Sequence, residues 1–181
     1  MHEATIASLA LRRFLIAGWL TAMLTVPGPC RSAQAQANQI TPPLIKLPNN
    51  YRRWQLISVA HEEGDLHDLR GILANDVAAR AFRNNATEFP NGSKIVRLAW
   101  QYSSSAENNR AFGREQSFVA GAPTNIQLMV RDTRRYAATG GWGYAQFAEP
   151  GAKNGAAHPS ACAGCHTSAK DHGCVFTRYS R

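Results

Sequence analysis

The segment Cys162-Ala163-Gly164-Cys165-His166, close to the C-terminus, constrains this chain more than any other feature. It is a C-x-x-C-H motif, in which two thiols three positions apart on a helical turn can both form thioethers with the vinyl groups of one haem. The adjacent histidine is then held as an axial ligand of the iron. The motif therefore predicts one covalent haem c per chain, with Cys162 and Cys165 binding the cofactor and His166 binding the iron.

Two other uses of such a cysteine pair have to be weighed. A zinc site needs a second pair of ligands, for which the C-terminal part of the chain offers Cys174 and scattered histidines. A redox-active C-x-x-C normally lies early in a βαβ unit rather than near the C-terminus. Haem attachment is the favoured interpretation, and it leaves the thiol of Cys174 without an assigned role.

Residues 1–37 are predicted to be a secretory signal peptide. Arg12 and Arg13 precede an apolar run over residues 14–26, and small residues at 33–37 offer a cleavage site after Ala37. The run is shorter than the ~20 apolar residues that span a bilayer, so we expect no membrane span after cleavage, with an uncleaved anchor as the alternative. Such a signal directs export to the periplasm, and this compartment is also where attachment of haem to thiols is expected.

The remaining sequence is predicted to form one domain. Residues 38–50 contain three prolines and form an extended leader, and residues 51–181 form the haem-binding domain. The full chain carries a formal net charge of +8, and removing the signal peptide leaves it positive. Because no basic block is interleaved with aromatic residues, we expect an acidic electron-transfer partner in the periplasm rather than nucleic acid.

Hydrophobic patterning predicts an α+β, β-rich fold. Strands are predicted over residues 51–60, 69–74, 93–102, 117–120, 125–130 and 142–147. Asn75 is placed to cap a helix that begins at Asp76, and residues 89–92 form a turn. Residues 103–114 read as a polar loop, and a helix carries the haem motif.

The sixth position of the iron decides between electron transfer and ligand chemistry. Met129 is the single methionine left after cleavage, and its strand position suggests a core residue rather than a ligand. The histidines are expected on the surface: His61, His67, His158 and His172. The simplest inference is a five-coordinate iron that takes a small-molecule substrate or a gas.

Two cations of the strand at 93–102 are candidate site residues. Alternation places Lys94 on one face with Val96, and Arg97 on the other with Ile95. Arg97 either binds a haem propionate or an iron ligand through charge-assisted hydrogen bonds, or lies on the surface.

From about Tyr51 to Arg181 the chain resembles the cytochrome P-460 family. The resemblance is carried, in order, by Trp54, Asn75-Asp76, Phe89-Pro90-Asn91-Gly92-Ser93, Val130-Arg131-Asp132, Tyr136, Thr139-Gly140-Gly141-Trp142-Gly143-Tyr144, Cys162 to His166 and Val175-Phe176-Thr177-Arg178-Tyr179. It implies a mostly antiparallel β fold with a C-terminal haem-attachment helix, a homodimer, and one five-coordinate haem per subunit.

The resemblance also implies a choice of activities. Some relatives oxidise hydroxylamine, using a lysine cross-linked to the haem and a distal carboxylate, whereas the similar β-type cytochromes c-prime bind nitric oxide or carbon monoxide behind an apolar cap. Lys94 is the candidate for the cross-link, no acidic residue is found in the strand at 142–147, and four aromatic residues are available for a cap: Phe82, Phe89, Trp100 and Phe118. The sequence thus predicts a haem oxidoreductase acting on hydroxylamine or nitric oxide, with a gas-binding protein or an electron carrier as alternatives.

Overall fold

The computed structural model describes residues 44–148 and 159–181. The predicted signal peptide over residues 1–37 and the first part of the leader, residues 38–43, lie outside the described residues. So does the segment 149–158, which contains Lys153 and His158.

A single antiparallel sheet with strand order β1-β2-β3-β4-β5 organises the fold. The strands are β1 Gln55–Glu62, β2 Asp68–Ala74, β3 Lys94–Ser104, β4 Phe118–Arg131 and β5 Trp142–Phe147. The helices are α1 Asp76–Arg83, α2 Ala106–Phe112 and α3 Pro159–His166, with short 3-10 helices at Tyr51–Arg53, Ala137–Thr139 and Thr167–His172. The predicted α+β, β-rich fold with a C-terminal helix is confirmed. In the ranges that the structure describes, no helix has the length and apolar character needed to cross a membrane.

Both faces of the sheet are covered. The side that carries Ile95, Met129 and Tyr144, here called the helix face, packs against α1, and the haem-motif cysteines and C-terminal chain pack on the same core. The side that carries Val96 and Leu128, here called the leader face, is covered by Ile45, Leu47, Tyr51 and Trp54. This explains why neither face of β3 is cleanly polar in sequence, since a strand buried on both sides loses the apolar/polar alternation.

Two boundaries differ from the sequence prediction. The chain at Tyr51–Arg53 is a 3-10 helix rather than the start of β1, and it places Tyr51 in the leader-face core. β4 is one strand, although Pro123 was predicted to split it in two. Among the described residues its pairing with β5 begins only at Ile126, so no described part of β5 lies opposite Pro123 and a missing N–H is tolerated there.

The helix α2 replaces the predicted polar loop. The Ser105 side chain accepts a hydrogen bond from the Asn108 backbone N–H, and Gly113 ends the helix in the left-handed conformation. None of its residues is buried. Because α2 has no apolar stripe, hydrophobic periodicity gave no signal for it, and its capping residues alone marked its ends.

Asn75 performs the capping role that the sequence predicts and also fastens β3. Its Oδ1 accepts hydrogen bonds from the backbone N–H groups of Ala78 (3.1 Å) and Lys94 (2.9 Å). Its Nδ2 donates to the carbonyl of Gly92 at 2.9 Å. One side chain therefore joins the start of α1 to the turn before β3.

We expect Asn75→Ala to lower the free energy of unfolding by about 2 kcal/mol, because a helix cap and two further hydrogen bonds are lost. Urea unfolding of the haem-loaded protein measures it. Asn75→Asp is the matched control, because it keeps both accepting oxygens and removes only the donor. A loss for Asn75→Ala no larger than that of Asn75→Asp would contradict the double role of Oδ1.

Candidate haem site

The helix α3 presents both motif cysteines as free thiols. Cys162 is half-buried and packs against the helix-face core, whereas Cys165 is exposed. Burial raises the pKa of the Cys162 thiol, the neighbouring Cys165 raises it further, and its own backbone partly offsets this. The Cys162 thiol is half-buried and neutral, and the Cys165 thiol beside it is exposed. Both can therefore bond to one group that lies along α3.

His166 is held in one tautomer by the chain that follows it. Its Nδ1 lies 2.8 Å from the backbone carbonyl oxygen of Cys174. Because a carbonyl oxygen can only accept, Nδ1 must carry the proton, and the lone pair of Nε2 is left free for a metal. Metal-binding histidines are commonly oriented by such a hydrogen bond, which also makes the ligand nitrogen more basic.

The accepting carbonyl is fixed by a left-handed turn. Gly173 and Cys174 have φ values of +64° and +62°, which is costly for a non-glycine residue such as Cys174. A Cβ on Gly173 would lie 2.8 Å from the carbonyl oxygen of Thr87, so glycine is required there. The indole Nε1 of the fully buried Trp142 donates to the Gly173 carbonyl at 2.8 Å and locks the turn.

Two aromatic rings flank the imidazole of His166. The Tyr144 ring centroid lies 5.1 Å from it and that of Phe176 lies 5.2 Å from it. Burial raises the pKa of Tyr144 well above its usual value, and the nearby thiols of Cys174 and Cys162 add to this. The phenol is therefore neutral at physiological pH and serves as packing rather than as a base.

Cross-strand register places Arg97 near this group. Ile95, Met129 and Tyr144 are directly paired across β3, β4 and β5, and Tyr144 touches His166. The next row on the helix face is Arg97, Gln127 and Gln146. Rows on one face are about 7 Å apart along a strand, so Arg97 belongs to the row beside the one that contacts the imidazole.

An ion pair that the sequence did not reveal holds Arg97. Its Nη2 donates to the buried Asp68 carboxylate at 2.5 Å, and its Nη1 donates to Asn125 at 2.9 Å. Arg70 donates from Nε to the other Asp68 oxygen at 2.9 Å and pairs with Glu62 at 3.2 Å. Burial lowers the pKa of Arg97 and repulsion from Arg70 lowers it further, while Asp68 opposes both.

One donor of Arg97 is left over. The Nε of Arg97 is buried and has no hydrogen-bond partner among the described residues. An unpaired buried N–H costs about 1–3 kcal/mol, so such atoms are rare unless another group accepts from them. The arginine therefore has one N–H to offer to a negative oxygen or nitrogen on the helix face.

Lys94 is not brought to the motif. It pairs with Val130 and alternates with Val96 and Leu98, all of which pack on the leader face. The sheet thus lies between Lys94 and the helix-face core against which Cys162 packs. This position does not support Lys94 as the residue that cross-links a haem, and its separation from Arg97 follows from strand alternation alone.

The other residues considered as iron ligands lie in the core or on the surface. Met129 is buried in the core between Ile95 and Tyr144, as expected for a packing methionine. His61 stacks on Tyr102 at 3.9 Å on the leader face, and His67 and His172 are exposed. Phe82 and Phe89 belong to the helix-face core, whereas Trp100 packs on the leader face.

The described residues fit a haem better than a zinc ion. They contain no group of three or more His, Cys, Asp or Glu side chains arranged to hold a metal ion. They do provide two free thiols on one helix, a histidine with its Nε2 lone pair free, and an aromatic surround. This donor set matches a porphyrin attached through two thioethers, with His166 available as a ligand to its iron.

Sequence reasoning assigned no role in the site to Asp68, Tyr144 or Trp142. Asp68 follows a polar loop and looks like a loop residue, although it is the first residue of β2. The alternation of Trp142 and Tyr144 in β5 was a usable signal that both lie on the same face. The hydrogen bond from Trp142 to Gly173 joins residues that are distant in the sequence, so no local pattern predicts it.

Comparison with known proteins supports this interpretation. No curated protein matches the chain. The family described as cytochrome P460 matches residues 48–177, which is most of the chain and includes the haem motif and the turn that binds His166. A haem cofactor is therefore implied. The chain belongs to the cytochrome P-460 family.

Proposed function

We propose that this protein is an exported mono-haem c-type cytochrome with a five-coordinate iron that oxidises hydroxylamine or nitric oxide. Cys162 and Cys165 would form the thioethers, and His166 would bind the iron through Nε2. When bound, the haem supplies an iron that takes up a small nitrogen ligand and exchanges electrons with it. The proposal rests on the His166–Cys174 hydrogen bond, which prepares one strong axial ligand.

Each polar residue of the site has a separate task in this proposal. The Cys174 carbonyl holds the Nδ1 proton and makes Nε2 a better electron donor. Arg97 keeps its charge and offers its free Nε–H to a ligand that carries negative charge. Asp68 acts as a positioning residue, because it fixes the guanidinium of Arg97 through Nη2.

The export and assembly of the protein belong to the same proposal. A signal peptide removed after Ala37 would deliver the chain to the periplasm, where an electron-transfer partner would accept electrons from it. The positive net charge of the chain suits an acidic partner. We expect the exported protein to be a homodimer, which sedimentation measures.

Reversible binding of nitric oxide or carbon monoxide is the second candidate function. Lys94 lies on the leader face, so it offers no cross-link on the helix face. The buried carboxylate Asp68 is engaged by Arg70 and Arg97, so it is not a free base. Both observations favour a site that stabilises a ligand over one that also removes protons from it.

The decisive experiment is anaerobic incubation of the ferric protein with hydroxylamine and an electron acceptor. The enzymatic proposal expects acceptor reduction together with a nitrogen-oxide product. Ligand binding without reduction of the acceptor would exclude the oxidase activity and support the gas-binding function. A low-spin six-coordinate ferrous spectrum would contradict both and indicate an electron carrier.

Intact mass tests attachment separately from activity. We expect a polypeptide that begins at Asn38 and carries one covalent haem. Cys162→Ser and Cys165→Ser should each leave a single thioether, and the double variant should lose covalent haem. Cys174→Ser is the matched control and should retain full attachment. A haem-free wild-type mass would disprove the c-type assignment.

We expect Trp142→Phe to weaken the proximal hydrogen bond, because the Gly173 carbonyl loses its buried donor and the turn relaxes. The reduction potential should rise, since a less electron-rich His166 stabilises ferric iron less. The free energy of unfolding should fall by about 1–2 kcal/mol. Trp100→Phe, on the leader face, is the control. Equal reduction potentials in the Trp142→Phe and Trp100→Phe variants would show that Trp142 does not influence the iron ligand.

Arg97 and Lys94 make a matched pair on the two faces of β3. We expect Arg97→Gln to weaken azide binding to the ferric protein about tenfold, as the loss of one charge-assisted hydrogen bond predicts. Lys94→Gln should change neither azide affinity nor the absorption spectrum. An altered ferrous absorption band in Lys94→Gln would support Lys94 as the residue that cross-links the haem. Unchanged azide affinity in Arg97→Gln would show that Arg97 does not contact the ligand.

A further inference from the structure

A cavity of about 280 Å³ lies between the end of α1 and the C-terminal chain. Its lining consists of Phe82, Asn85, Ala86, Thr87, Phe89, His172, Thr177, Arg178 and Tyr179. None of Cys162, Cys165 and His166 contributes to it. The cavity is therefore separate from the residues assigned to haem attachment.

The walls of this cavity select the chemistry of an occupant. Phe82 and Phe89 form an edge-to-face pair with centroids 4.9 Å apart, and both are buried, so they give the cavity an aromatic floor. Arg178 and His172 are the basic residues of the lining, and its described residues include no aspartate or glutamate. An apolar floor with a cationic rim fits a small molecule that has a flat apolar body and one negative charge.

Arg178 is held at the rim by its own segment. Its Nη1 lies 3.0 Å from the Val175 carbonyl oxygen and 3.1 Å from that of Thr177. These bonds restrain the guanidinium before a ligand arrives, which lowers the entropic cost of binding an anion. The volume of about 280 Å³ lies just below the range for small-molecule pockets, ~300–1,000 Å³, and so favours a single ring over a nucleotide.

We propose that this cavity binds a small aromatic carboxylate, and that the bound carboxylate acts as an effector of the proximal histidine. The ring would lie on Phe82 and Phe89, and the carboxylate would accept hydrogen bonds from Arg178. The effector role rests on the proposed function, whereas binding to the cavity does not.

Contacts on the far side of the cavity wall connect it to His166. Phe89 packs edge-on against Trp142 with centroids 5.6 Å apart, and Trp142 donates to Gly173. Gly173 also lies against the carbonyl of Thr87, another lining residue. An occupant that displaces Phe89 or Thr87 therefore moves the turn whose Cys174 carbonyl accepts from His166.

Benzoate is the probe, measured by calorimetry on the haem-loaded protein, with neutral benzamide as its matched analogue. We expect benzamide to bind at least tenfold more weakly, because it cannot form the charge-assisted pair. Arg178→Gln should weaken benzoate binding by a similar factor. Ala86→Leu should abolish benzoate binding, because the larger side chain fills the cavity. Arg134→Gln, which alters an exposed arginine outside the lining, should bind like the wild type.

Equal affinities for benzoate and benzamide, or a wild-type affinity for benzoate in Arg178→Gln, would overturn the proposed carboxylate site. The effector role has its own readout, the iron–histidine stretching frequency of the ferrous protein. Saturating benzoate should shift this frequency in the wild type and leave it unchanged in Ala86→Leu. Benzoate binding without a shift would overturn the effector role alone. Calorimetry also remains informative if the protein proves inactive toward nitrogen compounds.

Discussion

The hydrogen bond from His166 Nδ1 to the Cys174 carbonyl ties the sheet to the chemistry of the site. It selects the histidine tautomer, and its acceptor lies on two consecutive left-handed residues. That turn is stable because Trp142 of β5 donates to the Gly173 carbonyl. The neighbouring strand residue Tyr144 contacts the imidazole itself. The imidazole that we propose as the iron ligand thus takes its orientation from β5, which explains how so short a C-terminal segment can hold a precise geometry.

The alternation of a strand decides which cation reaches the site. Lys94 and Arg97 are three residues apart in β3, and an odd separation sends their side chains to opposite faces. The helix face therefore receives an arginine, which cannot lose its proton under physiological conditions, and the leader face receives the lysine. A nucleophilic amine and a permanent hydrogen-bond donor would serve different chemistry. The alternation of side chains along β3 therefore decides which of these two groups faces the site, and this choice separates the two candidate functions.

Local features of the sequence predicted most of the fold. The α+β class, the Asn75 cap, the strand at β5 and the helix of the haem motif all follow from short-range patterns, and the structure contains each of them. The errors have physical causes as well: Pro123 lies outside the described pairing of β4 with β5, and α2 has no buried stripe to reveal it. The site was harder to predict, because Asp68 contacts Arg97 from the neighbouring strand and Trp142 contacts Gly173, which is 31 residues further along the chain. Contacts of this kind depend on the completed sheet and leave no periodic trace in the sequence.

The charge arrangement of the helix face bears on the chemistry that it can support. Oxidation of hydroxylamine releases protons, so an enzyme of that type needs a base close to the bound substrate. Asp68 is buried, but it already accepts hydrogen bonds from both Arg70 and Arg97, and protonating it would leave two guanidinium groups without their shared counter-charge. The row formed by Arg97, Gln127 and Gln146 contains donors and amides but no second carboxylate. This row is suited to stabilising negative charge on a ligand, whereas proton removal would need a group from outside it.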